Sequence, residues 1–210
     1  MIPDLVPALR RYLVTDGRAE TVDRLVATCE AAIAGGVTAI QLRAKGWTDR
    51  QLYDAGARLR SLTRSNDILL IVNDRVDITL AIDADGVHLG VDDLPVDAAH
   101  RLLGRAKVIG YSPERDEDSH AAELAGASYL GVGPVYGTST KHDAGEAIGL
   151  AGLQRVVARS ALPVIGIGGV TVSRAREVVG TGAVGVAVVS DIFLASDPEA
   201  AARKLTEAIP

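Results

Sequence analysis

The sequence holds one cysteine, one tryptophan, one phenylalanine and one methionine among 210 residues, and aromatic residues make up only 3% of it. A lone Cys29 leaves no intrachain disulfide and no cysteine metal cluster, and suits a reducing compartment. With so few rings, the core must be aliphatic, because hydrophobic residues still reach 48%. The net charge is −5 and no basic stripe interleaves with aromatics, which argues against a nucleic-acid partner. No stretch approaches the ~18 uncharged apolar residues of a membrane span. The N-terminal MIPDLVPALRRY has neither a long apolar core nor a cleavage-like end. A soluble, cytoplasmic protein without nucleic-acid or membrane partners is expected, with 1–210 as one domain.

What is present is alternation. Short β-branched runs predict strands at 11–15, 37–42, 68–72, 86–89, 106–109, 129–132, 164–167 and 185–189. Amphipathic patterns between them predict helices at 21–34, 48–63, 76–81, 95–103, 114–125, 149–160, 172–179 and 198–208. Eight strand-helix units without a dinucleotide fingerprint predict a closed (β/α)₈ TIM barrel rather than an open doubly wound sheet. In such a barrel the loops after the strands share one rim, where active sites are built.

The polar residues following each apolar run form a coherent set. Alternation puts Gln41, Arg43 and Lys45 on one side of the second strand. The third ends in Asn73-Asp74 and the fourth leads to Asp92-Asp93. The fifth reaches Ser112 and the sixth offers Thr138, Ser139, Thr140 and Lys141. The seventh ends in Gly168-Gly169 and the eighth in Val189-Ser190. Hydroxyls, a mobile Gly137 and one ammonium provide hydrogen bonds and charge for a phosphoryl group. Glycines before a helix let backbone N–H groups approach a second anion. Plainer readings stand beside these: Asn73-Asp74 as a turn, Asp92 or Asp93 as a helix N-cap, Lys45 and Arg43 as snorkelling cations, and His88 as a satisfied core histidine.

Carboxylates beside cations in an anion site make most sense around a divalent metal. Asp74 and Asp93 would hold Mg²⁺, which binds through one or two carboxylates plus substrate phosphates. Residue chemistry alone thus reaches a transferase joining a diphosphate substrate to a monophosphorylated one.

YLVTD at 12–16, QLRAK at 41–45, NDRVDITLA at 73–81, ADGVHLGVDDLP at 84–95, GVGPVYGTSTKHD at 131–143, PVIGIGGV at 163–170 and VGVAVVS at 184–190 resemble the thiamine phosphate synthase family over nearly the whole chain. The resemblance implies a (β/α)₈ enzyme that joins hydroxymethylpyrimidine diphosphate to hydroxyethylthiazole phosphate, a dissociative reaction in which diphosphate leaves first. It implies that Gln41, Arg43, Lys45, Asn73 and Lys141 bind the pyrimidine diphosphate, with Ser112 beside the pyrimidine. Arg43, Lys45 and Lys141 would be the charge-stabilising catalytic groups, and Asp74 and Asp93 the Mg²⁺ ligands. Thr138, Thr140, Gly169, Val189 and Ser190 would bind the thiazole phosphate, the last three mainly by backbone.

Two positions depart from the family's pattern. Val91 stands where glutamine is usual, and Ser112-Pro113-Glu114 where a Ser-Thr-His run is common. The second bears on a related thiazole tautomerase, which uses a histidine near that loop and tends to lose the metal ligands that this chain retains. A lysine Schiff-base aldolase and a non-catalytic phosphate-binding barrel are the alternatives from other classes. The expected partners are small-molecule substrates, with a homo-oligomer compatible with the sequence but not specified by it.

Overall fold

In the computed structural model, which describes residues 4–138 and 145–210, the apolar runs form eight strands hydrogen-bonded in chain order into a closed barrel. They are β1 (Arg11–Val14), β2 (Ala39–Leu42), β3 (Leu69–Asn73), β4 (Gly86–Leu89), β5 (Val108–Tyr111), β6 (Tyr129–Val132), β7 (Val164–Gly166) and β8 (Gly185–Val188). Every adjacent pair is parallel, including β1 with β8. This is the expected (β/α)₈ barrel. Among the described residues no helix is long and apolar enough to cross a membrane.

Strand alternation divides the core into two layers. Leu13, Ile40, Leu70, Val87, Ile109, Leu130 and Val186 face outward and are buried beneath the helices. Tyr12, Val14, Ala39, Leu69, Ile71, Val108, Tyr129, Ile165 and Ala187 face inward and fill the barrel, with Leu9 closing its lower end. Burying each large aliphatic side chain contributes roughly 1.5–3 kcal/mol. The same inward parity carries the chain up to Gln41, Asn73, His88, Ser112 and Val189, so the interior changes from apolar to polar towards the strands' C-terminal ends.

The helices start where side chains satisfy their first N–H groups. Thr21 Oγ1 accepts the Arg24 N–H at 3.2 Å ahead of Val22–Ala34. Thr48 and Gln51 form a capping box at the start of Asp49–Ser65. Most boundaries fall within two residues of the sequence expectation, and two of the differences have a local cause. β5 lies two residues later than 106–109, because the Lys107 N–H turns back to the Gly104 carbonyl at 3.4 Å and inter-strand bonding begins with the Val108 N–H on the Asp85 carbonyl at 2.9 Å. The expected 114–125 helix starts at Asp116, because the Asp118 carboxylate takes the Arg115 N–H at 2.9 Å. The expected 172–179 helix is a 3₁₀ turn, Val172–Arg174, followed by Ala175–Gly180. Two four-residue helices, Leu5–Ala8 and Ser190–Phe193, were not expected; one turn is too short to show a period.

Candidate active site

At the C-terminal ends of the strands the barrel opens into a cavity of about 800 Å³. Gln41, Arg43, Lys45, Asn73, Asp74, Asp93, Ser112, Thr138, Gly169, Val189 and Ser190 all line it. Thr140 and Lys141 lie outside the described residues. Val91, Pro113 and Glu114, the positions that depart from the resembled pattern, also border the cavity.

The β2 exit is fixed by a residue to which the sequence reading gave no role. Thr15, fully buried after β1, accepts the Arg43 N–H at 2.8 Å and donates to the Arg43 carbonyl at 2.9 Å. This clamp holds the backbone from which Arg43 and Lys45 enter the cavity. Lys45 Nζ lies 3.6 Å from Asp74 Oδ2. Asp74 has φ +61°, a left-handed conformation that aspartate tolerates better than most residues, and its N–H donates to the His88 carbonyl at 2.8 Å.

Asp93 is not a helix cap. The helix Val96–Leu103 begins after Pro95 with no side-chain cap, and Asp93 Oδ2 instead accepts the Gly90 N–H at 2.7 Å, inside its own turn. From there it contacts Asp74. Burial, followed by the hydrogen bond and negative charge of Asp93, pushes the Asp74 carboxyl up to about 6, although Lys45 and Arg43 oppose the rise. Two carboxylates, hard oxygen donors, thus face each other beside cations. Among the described residues no three His, Cys, Asp or Glu side chains cluster as a complete metal cage.

Across the rim, Gly168 and Gly169 have φ of +85° and +63°. A Cβ on Gly169 would sit 2.6 Å from the Gly137 carbonyl oxygen and 2.8 Å from Tyr136 Cβ, so this glycine lets the loops after β6 and β7 meet. Arg174 reinforces that junction. Its guanidinium donates to the Gly169 carbonyl at 3.0 Å and lies 4.4 Å from the Tyr136 ring centroid. Arg174 also lines the cavity, but in the sequence it falls within a helical pattern and was missed. Ser190 opens Ser190–Phe193 on the same side and is exposed.

The cavity floor carries a chain of hydrogen bonds through the barrel. Gln41 Nε2 donates to Tyr12 Oη at 3.0 Å, and Tyr12 Oη lies 2.9 Å from Tyr129 Oη. Tyr129 Oη lies 2.9 Å from His88 Nδ1, and His88 Nε2 lies 2.8 Å from Ser112 Oγ. His88 is therefore a satisfied core histidine and a cavity-lining residue at once. The two tyrosines sit in apolar runs, where they read as ordinary core.

Comparison with known proteins identifies the family. The family model described as thiamine monophosphate synthase matches residues 11–192. A thiamine-phosphate synthase of Roseiflexus castenholzii is 47% identical over 93% of this chain and 86% of its own. One from Natronomonas pharaonis is 48% identical over 94% of both chains. The solved thiamine phosphate pyrophosphorylase from Pyrococcus furiosus superposes with a TM-score of 0.89 at 40% identity, covering 98% of this chain and 97% of that one. The chain belongs to the thiamine monophosphate synthase family.

Proposed function

We propose that the protein condenses hydroxymethylpyrimidine diphosphate with hydroxyethylthiazole phosphate to give thiamine phosphate and diphosphate. The observation that carries this reading is the Asp74–Asp93 contact beside Lys45 and Arg43. A site for a bare monophosphate needs no paired carboxylates; a diphosphate bridged by a divalent cation does. The donor set fits Mg²⁺: both ligands are carboxylate oxygens, and substrate phosphates and water would complete the shell. When bound, Mg²⁺ would neutralise charge that accumulates on the departing diphosphate.

The chain's own residues supply the rest. Arg43 and Lys45, with Lys141 by family resemblance, hold the diphosphate and stabilise it as it leaves. Asn73 borders the same group, while Gln41 and Ser112 hold the pyrimidine at the cavity floor. Thr138 and Thr140 with the backbone at Gly169, Val189 and Ser190 hold the thiazole phosphate across the rim. The aminopyrimidine carries the methylene cation left by diphosphate, and the thiazole nitrogen attacks it. No protein nucleophile is required, so catalysis consists of positioning and leaving-group stabilisation.

The retained carboxylates favour this reading over a tautomerase. Lys45 is solvent-exposed and ion-paired rather than desolvated in an apolar pocket, which disfavours a Schiff-base role. Mixing purified protein with both substrates and Mg²⁺ tests the proposal: thiamine phosphate should form, detected by mass. Absence of product, or a borohydride-trapped lysine adduct with a carbonyl substrate, would overturn it.

A further inference from the structure

Four hydrogen bonds link Gln41 to Ser112 through the interior, and with Gln41 Nε2 facing Tyr12 their chemistry allows one direction. Gln41 Nε2 has no lone pair to offer, so it must donate to Tyr12 Oη, 3.0 Å away. If Tyr12 also accepted from Tyr129, its own phenolic proton would be stranded in a fully buried site, at the cost of an unmade hydrogen bond. Tyr12 therefore donates to Tyr129 across 2.9 Å. By the same argument Tyr129 donates to His88 Nδ1 across 2.9 Å. Nδ1 being the acceptor, the ring carries its proton on Nε2 and donates to Ser112 Oγ across 2.8 Å. Burial pushes both phenols well above the ordinary tyrosine range, so neither loses the proton that the direction depends on.

The barrel has been opened to admit this chain. A Cβ on Gly110 of β5 would collide with Tyr129 Cζ and His88 Nδ1, and one on Gly131 of β6 would lie 2.9 Å from His88 Cε1. Two adjacent strands thus carry glycine where the imidazole and phenol meet.

Both ends of the chain border the cavity, whereas the two phenols do not. We propose that Tyr12, Tyr129 and His88 are positioning residues that fix the hydrogen-bond polarity of the cavity floor, with the Gln41 carbonyl as acceptor and the Ser112 hydroxyl as donor, and so select an aminopyrimidine over its oxo counterpart. The aminopyrimidine offers the complementary set: amino N–H groups for the Gln41 carbonyl and ring-nitrogen lone pairs for the Ser112 hydroxyl. In the oxo form a C=O replaces C–NH₂ and the neighbouring ring nitrogen carries the proton, so Gln41 would meet an acceptor with an acceptor. Reversing Gln41 would require every proton in the chain to turn, including a change of His88 tautomer. The selectivity claim rests on the proposed pyrimidine diphosphate substrate; the tautomer claim does not.

Nitrogen-15 NMR of full-length protein labelled in its imidazoles, with His88→Gln identifying the resonances, should find His88 neutral with its proton on Nε2. A proton on Nδ1 would overturn the proposal. Calorimetry with the aminopyrimidine diphosphate and its oxo counterpart, both with Mg²⁺, should give at least ~100-fold preference for the amino form. Tyr129→Phe cuts the chain and lets Tyr12 turn its proton back to Gln41, so the amide can flip. The preference should then narrow tenfold or more, while affinity for the thiazole phosphate stays unchanged. Tyr12→Phe releases the same amide and serves if the first variant does not fold. A preference unchanged in the folded variant, in an enzyme that still makes thiamine phosphate, would sink the inference and spare the function. Failure of the wild type to make thiamine phosphate would sink the function, while an Nε2–H tautomer would still uphold the direction of the chain.

Discussion

Asp74 meets Asp93 at the β3 and β4 exits, where burial, reinforced by that contact, leaves Asp74 harder to ionise than an ordinary aspartate, near pH 6. The relationship is unfavourable for the protein alone, since two carboxylates side by side in a half-buried site repel each other once both are charged. A cation bound between the two carboxylates would relieve this repulsion.

The sign of the resulting pH dependence follows from linkage. Unfolded, Asp74 ionises near pH ~4; folded, it ionises near 6, so the folded state holds the extra proton between these values. Stability contributed by the protonated form is present at low pH and lost as pH rises through 6. Asp74→Asn, which keeps a residue tolerant of positive φ, should therefore stabilise the metal-free protein by on the order of 2 kcal/mol at pH 7.5 and by almost nothing below pH ~4. Thermal melts at the two pH values check this. Added Mg²⁺ should raise the wild-type Tm at pH 7.5 and leave Asp74→Asn much less affected.

Gly110→Ala drives a methyl group into the contact between His88 and Tyr129. Overpacking a fully buried site should cost about 1–3 kcal/mol in denaturant unfolding, and the loss of aminopyrimidine affinity should exceed that of thiazole phosphate affinity. Equal losses would mean general damage to the barrel.

Gly169→Ala tests the opposite rim. At φ +63° and with the Gly137 carbonyl facing the new Cβ, the loops after β6 and β7 must part. The KM for the thiazole phosphate should rise roughly tenfold or more, while the Kd of the pyrimidine diphosphate changes little. Arg174 moves with this junction, so Arg174→Ala should reproduce the direction of the effect more weakly.

The barrel was legible because its period was: apolar runs of strand length alternate with helical patterns, and residues after each run could be placed on one rim before any contact was known. Gln41, Arg43, Asp74 and Ser112 became visible that way. Tyr12 and Tyr129 did not, because a tyrosine in an apolar run looks like core, and only the closed barrel brings residues 117 positions apart to hydrogen-bond distance. Thr15 was hidden because its partner, Arg43, follows a different strand. Arg174 was hidden inside a helical pattern that the structure resolves into a 3₁₀ turn. Asp93 allowed two sequence readings, cap or ligand, and the bond from the Gly90 N–H removes the first.

Turnover as a function of Mg²⁺ for wild type, Asp74→Ala and Asp93→Ala, alongside calorimetry of thiazole phosphate binding, tests the metal-bridged mechanism most directly. If the two aspartates hold Mg²⁺ against a departing diphosphate, each variant should lose at least ~3 kcal/mol of transition-state stabilisation, more than a hundredfold in rate. Each should still bind the thiazole phosphate with near-normal affinity, and EDTA should abolish wild-type activity. Turnover that survives EDTA, or an Asp93→Ala enzyme that is only ~1 kcal/mol less stable and otherwise fully active, would contradict the account.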